Sequence, residues 1–158
     1  MTLAEKQDQL TGLVLAGWTK RVGAFLLDYS VMLIPLFIVK AVFGGVYGSI
    51  AFWVIYGAYL ILQWIYSNGM SVGNRAMHTQ IRDATTGGPI TKQQAIWRYA
   101  YLEAFVVLDF FAVGLAETTV VVVAIAYAIV DVVFPLYDAR NQTIHDKLAK
   151  TLVVMTDE

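Results

Sequence analysis

Four acidic residues, Asp28, Glu103, Asp109 and Asp131, stand inside stretches that are otherwise almost purely apolar. An ionised Asp at the centre of a lipid-embedded helix costs ~2.5–3.5 kcal/mol, so each of these needs a function or a partner. Carboxylates at partial depth bind hard cations through oxygen, or hold protons where burial lifts their pKa above the ~3.9–4.3 of free side chains. The chemistry on offer is that of a monovalent-cation or proton site. At ~1.5 Å rise per residue, Asp28 lies roughly 10 Å beyond Arg21 and Asp109 roughly 16 Å beyond Arg98, with Glu103 shallower. Asp28, Glu103 and Asp131 then form one acidic layer near a membrane face, with Asp109 near the midplane. The competing reading is structural: Glu103 reaches back to the interface, and the acids are protonated or hydrogen-bonded across the bundle to Tyr29, Tyr56, Tyr59, Tyr101 or Tyr127. Arg21 shares a helical face with Asp28 two turns away, too far to pair with it, and is expected to meet Asp131 or a lipid phosphate. Pro35 lies on the same face and either kinks the helix or is an ordinary membrane-helix proline. His145-Asp146 is expected to order the tail by hydrogen bonding, and no metal site is expected from His145 and His78, the two histidines present.

These residues need helices that cross a bilayer. Of the 158 residues, 58% are hydrophobic and 15% charged, with mean hydropathy +0.62. A small water-soluble domain has too much surface to manage with so few charges. The net charge of −1 gives no basic excess for nucleic acid, and the lack of cysteine excludes disulfides, thiolate metal sites and cysteine nucleophiles. Four stretches reach the length of a span, about 22–43, 49–66, 99–115 and 118–137. Lipid leaves no partner for an open strand, so the β-branched run at 119–123 is read as helix.

Every basic residue except Lys40 falls in the N-terminal flank (Lys6, Lys20, Arg21), the 67–98 loop (Arg75, Arg82, Lys92, Arg98) or the tail (Arg140, Lys147, Lys150). By the positive-inside rule these segments share the cytoplasmic face. The expected fold is therefore an all-α, four-span polytopic bundle, one domain over 1–158, with cytoplasmic termini. No cleavable signal is read at the start. Residues 2–16, opening on a capping-box-like Thr2–Glu5, are expected as a short surface helix, with Trp18 and Trp97 at headgroup level. A small hairpin is expected between 79–84 and 90–91 across the turn Thr85–Pro89. The tail 138–158 is expected to lie at the interface through an Ile144, Leu148, Leu152 stripe. Gly44–Gly48 reads as a turn and Ala124/Ala128 as a close-packing face.

Three ordered motifs resemble the RDD family of bacterial membrane proteins, named for an arginine and two aspartates. The segment from Ala16 to Asp28 is similar to its opening, with Arg21 starting the first helix and Asp28 within it. The segment Asn68–Arg75 resembles its second motif, with Ser71 and Asn74 where threonine and lysine are more usual. The segment Arg140–Val154 resembles its closing motif, with Lys150 where glycine is common. By that match the second aspartate is Asp146, with Asp138 in reserve, beside His145. The resemblance implies a cell-membrane protein for which transport of ions or small ligands is proposed. The expected function is cation or proton handling by an antiporter-like or channel-like subunit, as a homo-oligomer or with a membrane-protein partner. The alternative is an accessory or assembly subunit of another membrane complex. No phosphate loop, Rossmann pattern, GxSxG or HExxH occurs, so neither an enzyme nor a cofactor is expected.

Overall fold

The structure is a computed structural model that describes residues 8–103 and 117–156. Chain order gives α1 Trp18–Val31, α2 Leu33–Phe43, α3 Gly45–Tyr66, α4 Val72–Ala76, β1 Thr79–Asp83, α5 Lys92–Leu102, α6 Glu117–Val133, α7 Ile144–Ala149 and β2 Thr151–Met155. A 3-10 turn, Phe134–Leu136, follows α6.

The first apolar stretch is two helices, not one. Pro35 has no N–H for the carbonyl of Val31, and its ring crowds that carbonyl, so the ladder breaks at Met32 and the two halves bend by 40°. Gly44, at φ 62, then reverses the chain into α3, which packs back on α2. Gly44–Gly48 is thus the expected turn at its first residue.

Of the described helices, α3 is long and apolar enough to cross a membrane alone, through Tyr47–Tyr66, and α1 with α2 passes as a bent pair. The third expected span lies largely at 104–116, outside the described residues, together with Asp109. The fourth corresponds to α6, whose 17 residues fall short of that length. Outward faces carry Ile34, Phe37, Val54, Leu62, Val122 and Ile129, whereas Asp28, Arg98, Asp131 and Asp146 are buried. That is the inverse of the arrangement water imposes and suits a lipid surround.

Several expectations need correction at the basic-rich end. The fold is mostly helical but not all-α, because β1 and β2 form an antiparallel pair with Ile81 opposite Val153. The turn at 85–89 exists, with Asp83 Oδ1 accepting from the amides of Thr85 and Thr86 at 2.8 Å, yet only Arg82↔Pro89 bridges across it. The true partner of β1 is the tail. The expected stripe of Ile144, Leu148 and Leu152 does not form, because α7 ends at Ala149 and Leu152 belongs to β2. Both faces of the pair are covered. Ile81 and Val153 enter the main core, while Leu152 and Val154 pack with Leu15 and Ala84, each of these Ile, Val and Leu side chains contributing roughly 1.5–3 kcal/mol.

The N-terminal segment supplies that second cover. Described residues 8–16 form a turn and a bridge, Leu15↔Val154, in place of the expected surface helix, whose residues 2–7 lie outside the described range. Ala16 donates its amide to Val153 at 3.0 Å, and Met155 donates to Val14 at 2.8 Å. Arg140 locks the arrangement: Nε and Nη2 reach the two oxygens of Asp8 at 2.7 and 2.9 Å, and Nη2 also reaches the carbonyl of Ala84 at 2.6 Å. The Arg140 guanidinium holds the Asp8 carboxyl down at about 2.

Candidate functional site

Asp146 is wholly buried at the first turn of α7, and two arginines converge on it. Arg21 Nη2 from α1 meets Oδ2, and Arg98 Nη1 from α5 meets Oδ1. The carboxylate also accepts from the Thr143 amide at 3.0 Å, while Asp146 donates its own amide to Thr143 Oγ1 at 3.1 Å, closing a capping box. Thr151 of β2 completes the shell, its hydroxyl accepting from Arg98 Nη1 at 2.7 Å and lying 3.2 Å from Asp146 Oδ1. A lone carboxylate this deep would be untenable; two charge-assisted partners and two further hydrogen bonds, from Thr143 and Thr151, make it a fastener. Arg21 therefore meets Asp146, not Asp131 or a lipid phosphate.

Asp131 of α6 pairs with the preceding residue of the same turn, His145. His145 Nδ1 lies 2.6 Å from its Oδ2, and the His145 amide donates to Oδ1 at 3.1 Å. Burial, with the Arg98 and Arg21 guanidiniums nearby, pushes the imidazole down to about 4 against the pull of Asp131. At neutral pH the ring is uncharged and Nδ1–H is the donor. Arg21 and Arg98 are thus balanced by Asp146 and Asp131. A further bond from Trp18 Nε1 to the carbonyl of Val132, 2.7 Å, ties the end of α6 to the start of α1.

Asp28 does something different. Its Oδ1 accepts from Tyr59 Oη and from the Gly73 amide, both at 2.8 Å, and its Oδ2 accepts from Ser71 Oγ at 2.5 Å. Gly73 is in the first turn of α4, so Asp28 caps that helix from α1. The approach demands glycine: a Cβ at 73 would fall 2.0 Å from the Ala24 carbonyl oxygen and 2.9 Å from Asp28 Cγ. Ser71 and Asn74 form the capping box of α4 themselves, so both departures from the usual motif residues have work here.

These groups border one chamber of about 630 Å³ among α1, α3, α5 and α6. Its polar end carries Arg21, Asp28, Arg98, Glu103, Asp131 and His145, and its walls include Phe25, Trp53, Tyr56 and Tyr127. Ala124 and Ala128 line it too. Of the expected site residues within the described range, Asp146 alone does not border it, and Asp109 lies outside that range. Asp138 lies apart, accepting the amides of Arg140 and Gln142 and pairing with Lys147. Among the described residues no His, Cys, Asp or Glu cluster could hold a metal.

Sequence reasoning missed Arg98 as a site residue, reading it only as a topology marker. Its signal was its place at the head of an apolar stretch, as Arg21 stands at the head of the first. The capping roles of Ser71 and Gly73 and the part played by Thr151 were also not foreseen. The Tyr59–Asp28 bond was among the partners expected.

Neither the curated proteins nor the solved structures give a match. The family model described as RDD family matches residues 15–150, a range that holds Arg21, Asp28, Arg98 and Asp146. The chain therefore belongs to the RDD family of membrane proteins.

Proposed function

We propose that this protein is a multi-pass cell-membrane protein, with both termini on the cytoplasmic side, that takes a small solute into the chamber between α1, α3, α5 and α6. The observation that carries the reading is the chamber itself. Its volume of about 630 Å³ falls within the ~300–1,000 Å³ of ligand sites, and it joins apolar walls to a charged end. Arg21 Nη1, Arg98 Nε, Tyr56 Oη and Trp64 Nε1 add support: they are buried without a hydrogen-bond partner among the described residues, and all four residues border the chamber. The Arg21–Asp146–Arg98 cluster closes the cytoplasmic end.

In its ion-handling form, the reading assigns a proton or monovalent cation to Glu103 and Asp109. Asp28 and Asp131 already hold donors that a cation would have to displace. The test is flux in proteoliposomes carrying a pH-sensitive dye, under proton, Na⁺ and K⁺ gradients. Gradient-driven pH change that Glu103→Gln or Asp109→Asn abolishes supports it. Absence of flux from the unaltered protein removes the ion form, and a stoichiometric foreign partner on purification then favours the accessory-subunit reading. Single cysteines at Ser49, Thr86 and Thr156 in this cysteine-free chain report topology; labelling of Thr86 or Thr156 from outside overturns the cytoplasmic assignment.

A further inference from the structure

We propose that a second pocket, away from the chamber, binds the phosphate of an anionic lipid headgroup through Arg75 and Arg82. The pocket, about 470 Å³, lies where the chain leaves α3, between the segment Asn68–Met70, α4, β1 and the end of β2. It is bordered by two arginines and by no acidic residue among the described ones.

The two guanidiniums are held without being neutralised. Arg75 Nη2 donates to Gln63 Oε1 at 3.1 Å, and Gln63 Oε1 also accepts from Ser67 Oγ at 3.0 Å. Arg82 Nε donates to Gln80 Oε1 at 2.9 Å, and the Gln80 amide nitrogen donates in turn to the carbonyl of Asn68. Neither arginine pairs with a carboxylate among the described residues. Each amide oxygen fixes one N–H of a five-donor fork and leaves the positive charge uncancelled. A neutral amide orients an arginine at no electrostatic cost to a third party, which is the preparation an oxyanion site needs. The contrast with Arg21, Arg98 and Arg140 is direct, since those three each face a carboxylate.

Position selects the source of the phosphate. The pocket opens at the end of the helix best able to span a membrane, where Tyr66 is exposed in the aromatic-belt position. Lipid phosphates lie at that level, and basic pockets beside helix ends are where anionic headgroups are held. Leu13, Met70 and Met155 give the pocket an apolar rim suited to the glycerol and first acyl carbons.

The test measures thermal unfolding of the purified full chain in neutral detergent with added phosphatidylglycerol, phosphatidylcholine or inorganic phosphate. Variants are Arg75→Gln, Arg82→Gln, the double substitution, and Lys92→Gln, an exposed basic residue outside the pocket. Phosphatidylglycerol is expected to stabilise the protein where phosphatidylcholine does not. Each arginine substitution should weaken that effect about fivefold, with Lys92→Gln without influence. Stabilisation by inorganic phosphate, lost in the double variant, would keep the site but make its ligand a soluble phosphate and overturn the lipid assignment. Equal stabilisation by both lipids, a double variant that still responds, or an equal loss in Lys92→Gln overturns the site. If the double variant does not fold, Arg75→Gln alone decides, because Arg75 is solvent-exposed.

Discussion

Replacing Asp28 separates a helix cap from an ion ligand. Its carboxylate serves three neutral donors, Tyr59 Oη, Ser71 Oγ and the Gly73 amide. In Asp28→Asn the remaining oxygen keeps Tyr59 and Gly73. The new amide can donate to Ser71 Oγ, whose own proton has a second acceptor in Asn74 Oδ1 at 2.7 Å. Every group stays satisfied, so the loss is the charge assistance of the bonds, about 1 kcal/mol. Asp28→Ala differs. Ser71 still turns to Asn74, but the Gly73 amide and Tyr59 hydroxyl lose their acceptor at about 1–3 kcal/mol each, some 3–4 kcal/mol with the lost packing. For a chain of this length 1 kcal/mol is worth ~2–4 °C, so thermal unfolding in detergent should fall by about 3 °C for Asn and about 10 °C for Ala. Hydrogen exchange at Gly73 should quicken only in the Ala variant. Proton flux, where present, should survive in Asp28→Asn. The cap is refuted if Asn costs as much as Ala, or if Asn abolishes flux at unchanged stability.

Two further outcomes follow from local geometry and charge. Lys150 ends α7 at φ 55, ψ 46, a left-handed conformation that costs a non-glycine residue roughly 1–2 kcal/mol, so Lys150→Gly should stabilise by about 0.5–1 kcal/mol after the unfolded-state entropy of glycine is subtracted, read from denaturant midpoints. His145 titrates at about 4 when folded and near 6.5 when unfolded. Between those values the unfolded chain binds more protons, so stability is full above pH 6.5 and falls by up to about 3 kcal/mol as pH drops to 4. A His145→Gln variant, which keeps a donor for Asp131, should flatten that slope, and an unchanged slope would assign it elsewhere.

Much of the helical framework was legible because apolar length in lipid is a strong signal; Asp28, Glu103 and Asp131 stood out as charges where charge is costly, and Asp146 through its place in the closing motif. The tail was misread for a definite reason. Ile144, Leu148 and Leu152 repeat at helical spacing, but Lys150 turns left-handed between them and puts Leu152 into a five-residue strand. A strand that short, buried along most of its length, shows no alternation to read. The glycine common at position 150 in the motif was the clue to the break. The hairpin expectation failed because β1 pairs with a segment far along the chain, which local turn chemistry does not announce. Arg98 hid among the topology-setting basic residues until the fold brought it to Asp146.

The shared counter-ion at Asp146 is tested most directly by a double-mutant cycle of Arg21→Gln and Asp146→Asn in thermal and denaturant unfolding of the purified protein. Asp146→Asn should destabilise by about 3–5 kcal/mol, because it leaves both Arg21 and Arg98 without their shared carboxylate, and Arg21→Gln by about 2–3 kcal/mol, because Asp146 keeps Arg98. The double variant should lose less than the sum, with a coupling of about 2–3 kcal/mol. Losses that add within about 0.5 kcal/mol would contradict the pairing of Arg21 with Asp146.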